Sequence, residues 1–139
     1  MDLGIKDKVA FITGASSGIG LSTAEAFVKE GARVIICGRN QEKLEEAKKK
    51  IKQNTGAEVG AYACDTSKFD QVEKTVNQII KEYQKIDILI NNAGKAQAGG
   101  VVDAKPEDWQ SMIDVKIYSL INTCKLIAPI MKKNKWGRI

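Results

Sequence analysis

Three glycines, Gly14, Gly18 and Gly20, lie close together in the segment TGASSGIG, which begins at Thr13. The segment follows the short apolar run KVAFIT and precedes LSTAEAFVKEG, whose apolar residues have helical spacing. A turn from a strand into a helix presents free backbone N–H groups and the positive end of the helix dipole, and both attract phosphate. Gly14 would permit a tight turn, Gly18 would let a diphosphate approach the backbone, and Gly20 would let the helix pack close to the sheet. The pattern therefore predicts a diphosphate-binding loop.

Two serines and an isoleucine complete this loop. Ser16 and Ser17 add hydroxyl donors, and Ile19, between the last two glycines, is also predicted to contact the cofactor. The spacing is G-x-x-x-G-x-G, which differs from the G-x-G-x-x-G of the general dinucleotide fingerprint. The alternative is a purely structural glycine-rich turn, but the strand before it and the helix after it favour phosphate binding.

Arg39 follows the second predicted strand, RVIIC, after a single glycine. In dinucleotide folds that bind NAD, an acidic residue usually stands near this point and binds the ribose 2′-hydroxyl. Here the strand exits to arginine, and the guanidinium can bind a 2′-phosphate through a bidentate, charge-assisted contact. We therefore predict NADP as the cofactor in preference to NAD. The alternative is that Arg39 is a loop cation that faces solvent.

Strands and helices must alternate to position these residues, and the apolar pattern predicts that they do. Four short apolar runs are typical of buried parallel strands: KVAFIT (Lys8–Thr13), RVIIC, EVGAYAC and IDILI (Ile86–Ile90). Helices are predicted in LSTAEAFVKEG, QEKLEEAKKKIKQNTG, SKFDQVEKTVNQIIKEY and a long stretch from about Glu107 to Lys133. Short connections between them require parallel strands with right-handed crossovers. The predicted fold is α/β, a Rossmann-like doubly wound parallel sheet that binds its ligand beyond the carboxyl ends of the strands.

Several residues mark the predicted ends of these elements. Gly31 is a candidate helix C-cap, and Ser67 and Asp70 have the spacing of a capping box. Pro106 stands where the long helix would begin. The final residues, GRI, would begin a fifth strand.

Composition excludes several kinds of site. The 139 residues contain no histidine, which excludes a Ser-His-Asp triad, a Cys-His pair and a histidine metal site within the chain, and we predict no metal. The three cysteines lack a C-x-x-C pair, and we predict that they are small buried side chains in a reducing compartment. No apolar run reaches the roughly 18 residues of a membrane helix, and the N-terminal MDLGIKDK lacks the apolar region of a signal peptide. We therefore expect one cytoplasmic domain, residues 1–139.

The net charge is +5, and much of it lies in the segments AKKKIK and MKKNK. A basic nucleic-acid-binding module is one interpretation of this charge. A solvated helix face is favoured, because no set of aromatic residues for base stacking accompanies the lysines.

The segment NNAG, from Asn91 to Gly94, follows the fourth predicted strand. Together with TGASSGIG, in this order and at the ends of these strands, it resembles the short-chain dehydrogenase/reductase family. The segments GRN, CDTS and GRI fit the same resemblance, which covers nearly the whole chain. The resemblance implies an oxidoreductase that transfers hydride between a nicotinamide dinucleotide and a carbonyl or alcohol substrate.

The resemblance also implies cofactor contacts beyond the glycine loop. The matching family positions are Asp65 and Thr66 at the adenine ring, Asn92, Ala93 and Gly94 on the adenosine side, and Val115 against the adenine ring. The alternative for Asp65 is a local turn former before Ser67, and the two roles are compatible. For Asn91, a purely structural role that bridges neighbouring strands stays open.

Lys116 lies on an apolar stripe of the long predicted helix, between Met112 and Leu120. A lysine buried without a partner is costly, so either its stem reaches solvent or its amine enters a polar cavity. Position 116 matches the family's active-site asparagine, which supports a water chain behind the catalytic lysine. Three interpretations stay open: a tolerated natural substitution, a lineage with lost or altered activity, or an engineered or sequencing change. The predicted stripe comprises Trp109, Met112, Ile113, Leu120, Cys124, Ile127 and Met131.

We assign no catalytic residue within the chain. In the family, a tyrosine acts as general acid or base, a lysine four residues later lowers its pKa, and a serine orients the substrate oxygen. The residues four positions after Tyr62, Tyr83 and Tyr118 are Thr66, Asp87 and Asn122. We therefore expect the chain to be the cofactor-binding half of the enzyme, truncated after the start of a fifth strand and inactive by itself.

Two further expectations concern partners and alternatives. Apolar surface at the sheet edge and on the long helix predicts a homo-oligomer. The alternative to a reductase is a non-catalytic NAD(P)-binding or redox-sensing protein, and the nucleic-acid-binding module is a third interpretation.

Overall fold

The computed structural model describes residues 1–94 and 100–139 and contains a four-stranded parallel sheet in the order β3-β2-β1-β4. The strands are β1 (Val9–Thr13), β2 (Arg33–Gly38), β3 (Gly60–Ala63) and β4 (Ile88–Ile90). The helices are α1 (Gly18–Lys29), α2 (Gln41–Thr55), α3 (Phe69–Tyr83), α4 (Pro106–Ile113) and α5 (Ser119–Lys133). A π-helical segment, Asp114–Tyr118, joins α4 to α5. The prediction of an α/β fold with a parallel sheet is confirmed.

The two faces of the sheet carry separate apolar cores. On β1, Phe11 belongs to a core with residues of α3 and α5, whereas Ile12 belongs to a core with residues of α1 and α2. Ile12 pairs with Ile36 of β2 and Ile90 of β4, so β1 lies between two strands and is buried along its whole length. Burial of such a side chain contributes about 1.5–3 kcal/mol, which explains why the central strands are continuous apolar runs.

The start of α3 differs from its prediction. The helix begins at Phe69, with Lys68 rather than Ser67 at the N-cap. The Ser67 hydroxyl donates instead to the Asp65 carboxylate over 2.7 Å, and the Ser67 N–H donates to the same oxygen over 3.0 Å. The predicted capping box of Ser67 and Asp70 is therefore wrong, because Ser67 belongs to the turn closed by Asp65 and lies one residue before the N-cap.

The single long helix that was predicted from about Glu107 to Lys133 is interrupted. It begins at Pro106 as expected, but the π-helical segment adds backbone to one turn and rotates every later side chain about the helix axis. Leu120, predicted to be buried, is 48% exposed, and Lys116 is also exposed rather than part of a buried stripe. The buried residues of α5 are Ser119, Asn122, Thr123, Ile127 and Met131.

Arg138 lies beside β4 on the side away from β1. Its N–H donates to the carbonyl of Asp87 over 3.0 Å, and its carbonyl accepts from the N–H of Leu89 over 2.9 Å. These bonds form a parallel bridge with Ile88, which agrees with the predicted strand direction of GRI. Within residues 1–94 and 100–139, we find no helix with the length and apolar character that crossing a membrane requires.

Candidate functional site

A cavity of about 220 Å³ opens at the carboxyl ends of the strands, where the predicted site residues converge. Nine of the thirteen residues predicted to bind the cofactor line its wall: Gly14, Ser16, Ser17, Arg39, Asp65, Thr66, Ala93, Gly94 and Val115. Three further wall residues, Cys37, Gly38 and Cys64, were not predicted as site residues. Because β1, β2 and β3 run parallel, their ends and the loop after β4 meet at one edge of the sheet.

Two glycines of the loop lie where a larger residue would collide with the backbone. Gly14 has a φ of +64°, and a Cβ placed there would lie 2.7 Å from the Cα of Ala93. A Cβ on Gly20 would lie 2.6 Å from the carbonyl oxygen of Gly14 and 2.8 Å from the Cα of Ala15. The positive φ at Gly14 and the close packing at Gly20 agree with the roles predicted for these glycines, whereas the close approach of Gly14 to the segment after β4 was not predicted.

Gly18 and Ile19 lie at the start of α1 and do not line the cavity. Ser17 occupies the N-cap position in an extended conformation, and its exposed side chain lines the cavity. Gly18 has a φ of +57°, and the Ile19 side chain is 80% exposed. The amides that open the helix follow directly after Ser17, so an anion near Ser17 would lie at the positive end of the α1 dipole.

Asn92 braces the glycine loop and does not line the cavity. Its side-chain nitrogen donates to the carbonyls of Thr13 and Gly14, each over 3.0 Å. In return, the Thr13 hydroxyl accepts from the backbone N–H groups of Asn92 and Ala93, each over 3.0 Å. Thr13 was missed as a site residue, although its position directly before the first glycine was a signal for it.

The end of β2 places Arg39 and Gly38 in the wall of the cavity. A Cβ on Gly38 would lie 3.3 Å from the Ser16 hydroxyl oxygen, so this glycine makes room for a residue of the phosphate loop. Arg39 is exposed, and the next residue, Asn40, caps α2 by accepting from the N–H of Lys43 over 2.9 Å. The cap fixes the backbone directly after Arg39. The arginine side chain therefore extends from a defined point in the wall of the cavity.

Asp65 combines the two roles that the sequence left open. It lines the cavity, and its carboxylate also accepts from the N–H and the hydroxyl of Ser67. Its own N–H donates to the side-chain oxygen of Gln71 over 2.8 Å. Among the described residues that line the cavity, Asp65 is the only carboxylate, and it lies at the end of β3 rather than of β2.

Cys37 and Cys64 contribute two thiols to the wall. Both are buried, and they belong to the same apolar core, at the ends of neighbouring strands. Interaction with the Cys64 thiol and burial raise the pKa of the Cys37 thiol well above its ordinary value, whereas the same interaction lowers the pKa of Cys64. Cys37 is therefore protonated at neutral pH and behaves as the small buried side chain that was predicted.

The π-helical segment brings Val115 to the cavity and turns Lys116 towards solvent. Val115 is half-buried and lines the wall, as the family resemblance implies for a residue against the adenine ring. Lys116 is exposed, so its ammonium is hydrated in this chain. Of the two outcomes considered for the Lys116 stem, the structure shows the one that reaches solvent.

Comparison with known proteins shows matching sequences and structures over this same region. A family model described as short chain dehydrogenase matches residues 8–139. The 3-dehydrosphinganine reductase of Arabidopsis thaliana is 44% identical over 131 residues, which cover 94% of this chain and 39% of that protein.

Two solved structures have the same architecture. An NAD⁺-bound xylitol dehydrogenase matches with a TM-score of 0.91 and 31% identity, over 97% of this chain and 52% of that one. An L-sorbose reductase of Gluconobacter frateurii, in complex with NADPH and L-sorbose, matches with a TM-score of 0.90 and 35% identity, over 99% of this chain and 52% of that one. The chain spans about half the length of the curated relatives it matches, between 39% and 58% for eight of them.

Proposed function

This chain belongs to the short-chain dehydrogenase family, and on that premise we propose that it forms the NADP-binding part of an oxidoreductase. When bound, the nicotinamide would exchange a hydride with a carbonyl or alcohol carbon of the substrate. The observation that carries the choice of NADP is Arg39, which stands in the cavity wall at the end of β2. An aspartate or glutamate at that place would bind a free ribose hydroxyl and repel a 2′-phosphate.

The residues of the cavity fit such a cofactor in kind and in position. The positive-φ turn at Gly14 and the open space around Gly18 leave room for a diphosphate beside the first amides of α1. Ser16 and Ser17 offer hydroxyl donors to the same group. In our proposal, Asp65 accepts from the exocyclic amine of adenine, and Arg39 binds the 2′-phosphate through two parallel N–H donors.

The solved relatives support a nicotinamide dinucleotide but divide between its two forms. The xylitol dehydrogenase holds NAD⁺, and the L-sorbose reductase holds NADPH. The fold therefore accommodates both NAD and NADP. In our proposal, the residues at the end of β2 determine which of the two cofactors binds more tightly. In this chain those residues are Gly38, Arg39 and Asn40, none of which is acidic.

The test is a titration of the protein with NADP and with NAD, followed by calorimetry or by cofactor fluorescence for the reduced forms. We expect wild-type protein to bind NADP more tightly than NAD. Replacing arginine by alanine, Arg39→Ala, removes a charge-assisted contact and should raise the Kd for NADP about 10- to 100-fold, with little change for NAD.

Arg33→Ala is the matched control, since Arg33 is an exposed arginine at the opposite end of the same strand and contacts the Tyr83 ring. It should leave both Kd values unchanged. Tighter binding of NAD than of NADP by the wild-type protein would overturn the choice of cofactor, while leaving the assignment of the site as a dinucleotide site intact.

A second function, cofactor binding without turnover, is favoured by one sequence observation. Lys116 stands at the position that matches the family's active-site asparagine, although nine of the predicted binding residues line one cavity. A protein of this kind would respond to the ratio of reduced and oxidised cofactor and would not consume it. The 139-residue chain is expected to bind the cofactor without turnover in either case, so a turnover assay with NADPH and carbonyl compounds distinguishes the two functions when it is made on the whole protein.

A further inference from the structure

A cluster of buried polar side chains includes Thr66 in the wall of the cavity and the residues bonded beneath it. We define the buried polar cluster as Thr66, Asn91, Ser119, Asn122 and Thr123. Apart from Asn91, which is half-buried, its members are between 0% and 7% exposed. The buried face of a helix gains more from leucine or isoleucine than from serine, asparagine and threonine, because buried polar groups need hydrogen-bond partners. Three such residues on one turn of α5 therefore need an explanation.

The first half of the cluster holds Thr66 at both of its polar groups. The Thr66 hydroxyl donates to the Ser119 hydroxyl oxygen over 2.8 Å, and the Asn122 side-chain nitrogen donates to the Thr66 carbonyl over 3.0 Å. Thr66 is the cavity-lining residue that follows Asp65 after β3. Its side chain and backbone are thus fixed to α5, which lies more than fifty positions further along the chain.

The second half of the cluster ties the opposite edge of the cavity to the same helical turn. The Thr123 hydroxyl donates to the side-chain oxygen of Asn91 over 2.7 Å, and its oxygen also lies 2.9 Å from the Ser119 carbonyl oxygen. Asn91 begins the segment after β4 that continues to Ala93 in the cavity wall. One turn of α5 therefore holds the loops that follow β3 and β4.

The same turn begins where the π-helical segment ends. Ser119 is the first residue of α5, and Val115 lies in the π-helical segment before it. An isolated π-helical turn has no strong intrinsic preference to form, so its position depends on the contacts at its ends. Ser119, anchored to Thr66, supplies such a contact and thereby sets where Val115 meets the cavity.

Building on the proposed function, we propose that Ser119 and Asn122 are positioning residues for the adenosine half of the cofactor. They hold Thr66 and the π-helical segment in register, so that the part of the wall formed by Thr66 and Val115 exists before the ligand arrives. A wall that is already ordered does not lose conformational freedom on binding, and affinity is correspondingly higher. Without these bonds, the loop after β3 would have to be ordered by the ligand.

The experiment measures the Kd of 2′,5′-ADP and of NADP for wild-type protein, Ser119→Ala and Asn122→Leu by calorimetry. 2′,5′-ADP carries the adenosine and the 2′-phosphate but no nicotinamide, so it reports on this end of the site alone. We expect each substitution to raise both Kd values about 5-fold, the typical effect of one lost hydrogen bond. Because Thr66 and Ser119 act as one unit, the double variant Thr66→Val/Ser119→Ala should bind no more weakly than Thr66→Val alone.

Ile79→Val provides a control for general loss of stability. Ile79 is a fully buried residue of α3, and its substitution lowers the midpoint of thermal unfolding without touching the cavity. The proposal is overturned if Ser119→Ala and Asn122→Leu bind like the wild type, or if Ile79→Val, matched for thermal stability, weakens binding as much. If the wild-type protein binds neither 2′,5′-ADP nor NADP, both this proposal and the proposed function are wrong, whereas wild-type binding with unaffected variants refutes only the positioning role.

Discussion

At the scale of single residues, close approaches of the backbone decide which positions of the glycine loop are replaceable. Gly14 has a positive φ and also lies against Ala93. Gly56, at the end of α2, has a φ of +77°, and a Cβ placed there would have no atom of the described residues within 4 Å. Both glycines have a positive φ, but only at Gly14 would a Cβ collide with a neighbouring residue. They therefore form a matched pair for separating backbone strain from steric collision.

We expect Gly14→Ala to lower the free energy of unfolding more than Gly56→Ala. Both variants incur the cost of a left-handed conformation, about 1–2 kcal/mol. Only Gly14→Ala must also displace Ala93, which adds about 1–3 kcal/mol of overpacking. Urea unfolding measures the difference, and calorimetry with NADP should show weaker binding for Gly14→Ala alone. Equal losses of stability in the two variants would show that the approach of Gly14 to Ala93 does not restrict this position.

At the scale of secondary-structure elements, hydrogen bonds between distant segments set how strands and helices are held together. The edge strand β3 is attached to α3 by the Tyr62 hydroxyl, which donates to the Glu82 carboxylate. Burial is the largest cause that raises the pKa of Tyr62 above its ordinary value of about 10. The hydrogen bond to Glu82 and the negative charge of Glu82 raise this pKa further. The folded protein therefore holds this proton more tightly than the unfolded chain does.

This raised pKa predicts a pH dependence of stability. A raised tyrosine pKa stabilises the fold fully below the ordinary pKa, and the stabilisation is lost as the pH rises through the folded-state value. We expect the free energy of unfolding of the wild type to decline more steeply than that of Tyr62→Phe from about pH 10 upwards. Urea unfolding of both proteins between about pH 8 and 11 measures this difference. Parallel pH profiles for the two proteins would contradict the prediction.

The π-helical segment shows where element-scale prediction from periodicity fails. The apolar residues from Trp109 to Met131 were predicted to share one buried stripe, but only part of that stripe is buried in the helix that the π-helical segment interrupts. Ile127 and Met131 are buried as predicted, whereas Ile113 and Leu120 are exposed. One extra residue in a turn carries no composition signal, so only the structure reveals it.

At the scale of the whole molecule, an apolar surface lies on the outer side of α4 and α5. We define the apolar helix face as Ile113, Ile117, Leu120 and Ile121, which are between 44% and 52% exposed. Contiguous exposed apolar side chains of this kind favour association. We expect the protein to form dimers or larger oligomers through this face.

Charged substitutions on the apolar helix face test this expectation. The variant Ile117→Lys/Ile121→Lys should shift the protein towards the monomer in sedimentation velocity or light scattering at a fixed concentration. Leu3→Lys, on an apolar residue that is 45% exposed near the N-terminus, is the control and should leave the oligomeric state unchanged. A monomeric wild type, or a double variant that still associates like the wild type, would contradict the prediction.

A turnover assay also belongs to the whole molecule, because hydride transfer needs both a bound cofactor and a proton donor. The 139-residue chain contains no tyrosine with a lysine four residues later, so we expect it to bind NADPH without oxidising it in the presence of carbonyl compounds. The loss of NADPH absorbance, followed with and without carbonyl compounds, measures this. If the purified chain oxidised NADPH only when a carbonyl compound was present, other residues of this chain would have to supply the proton.

The sequence alone determined the local features of this protein. The alternation of apolar runs and helical periods specified an α/β fold, because side-chain periods of strands and helices follow from backbone geometry over a few residues. Gly14 could be assigned to a tight turn and Gly20 to close packing of the helix, since only glycine lacks a Cβ. Arg39, Asp65 and Ala93 could be placed at one edge of the sheet, because parallel strands end there.

Only the tertiary structure decided which of these side chains face the cavity and what holds them there. Asn92 turns away from the cavity to brace Thr13 and Gly14, which lie nearly eighty positions earlier in the chain. Ser119 and Asn122 lie beneath Thr66, in the turn of α5 that follows the π-helical segment. Contacts between residues so far apart depend on strand register and helix rotation, and neither is encoded in the composition or spacing of any one segment.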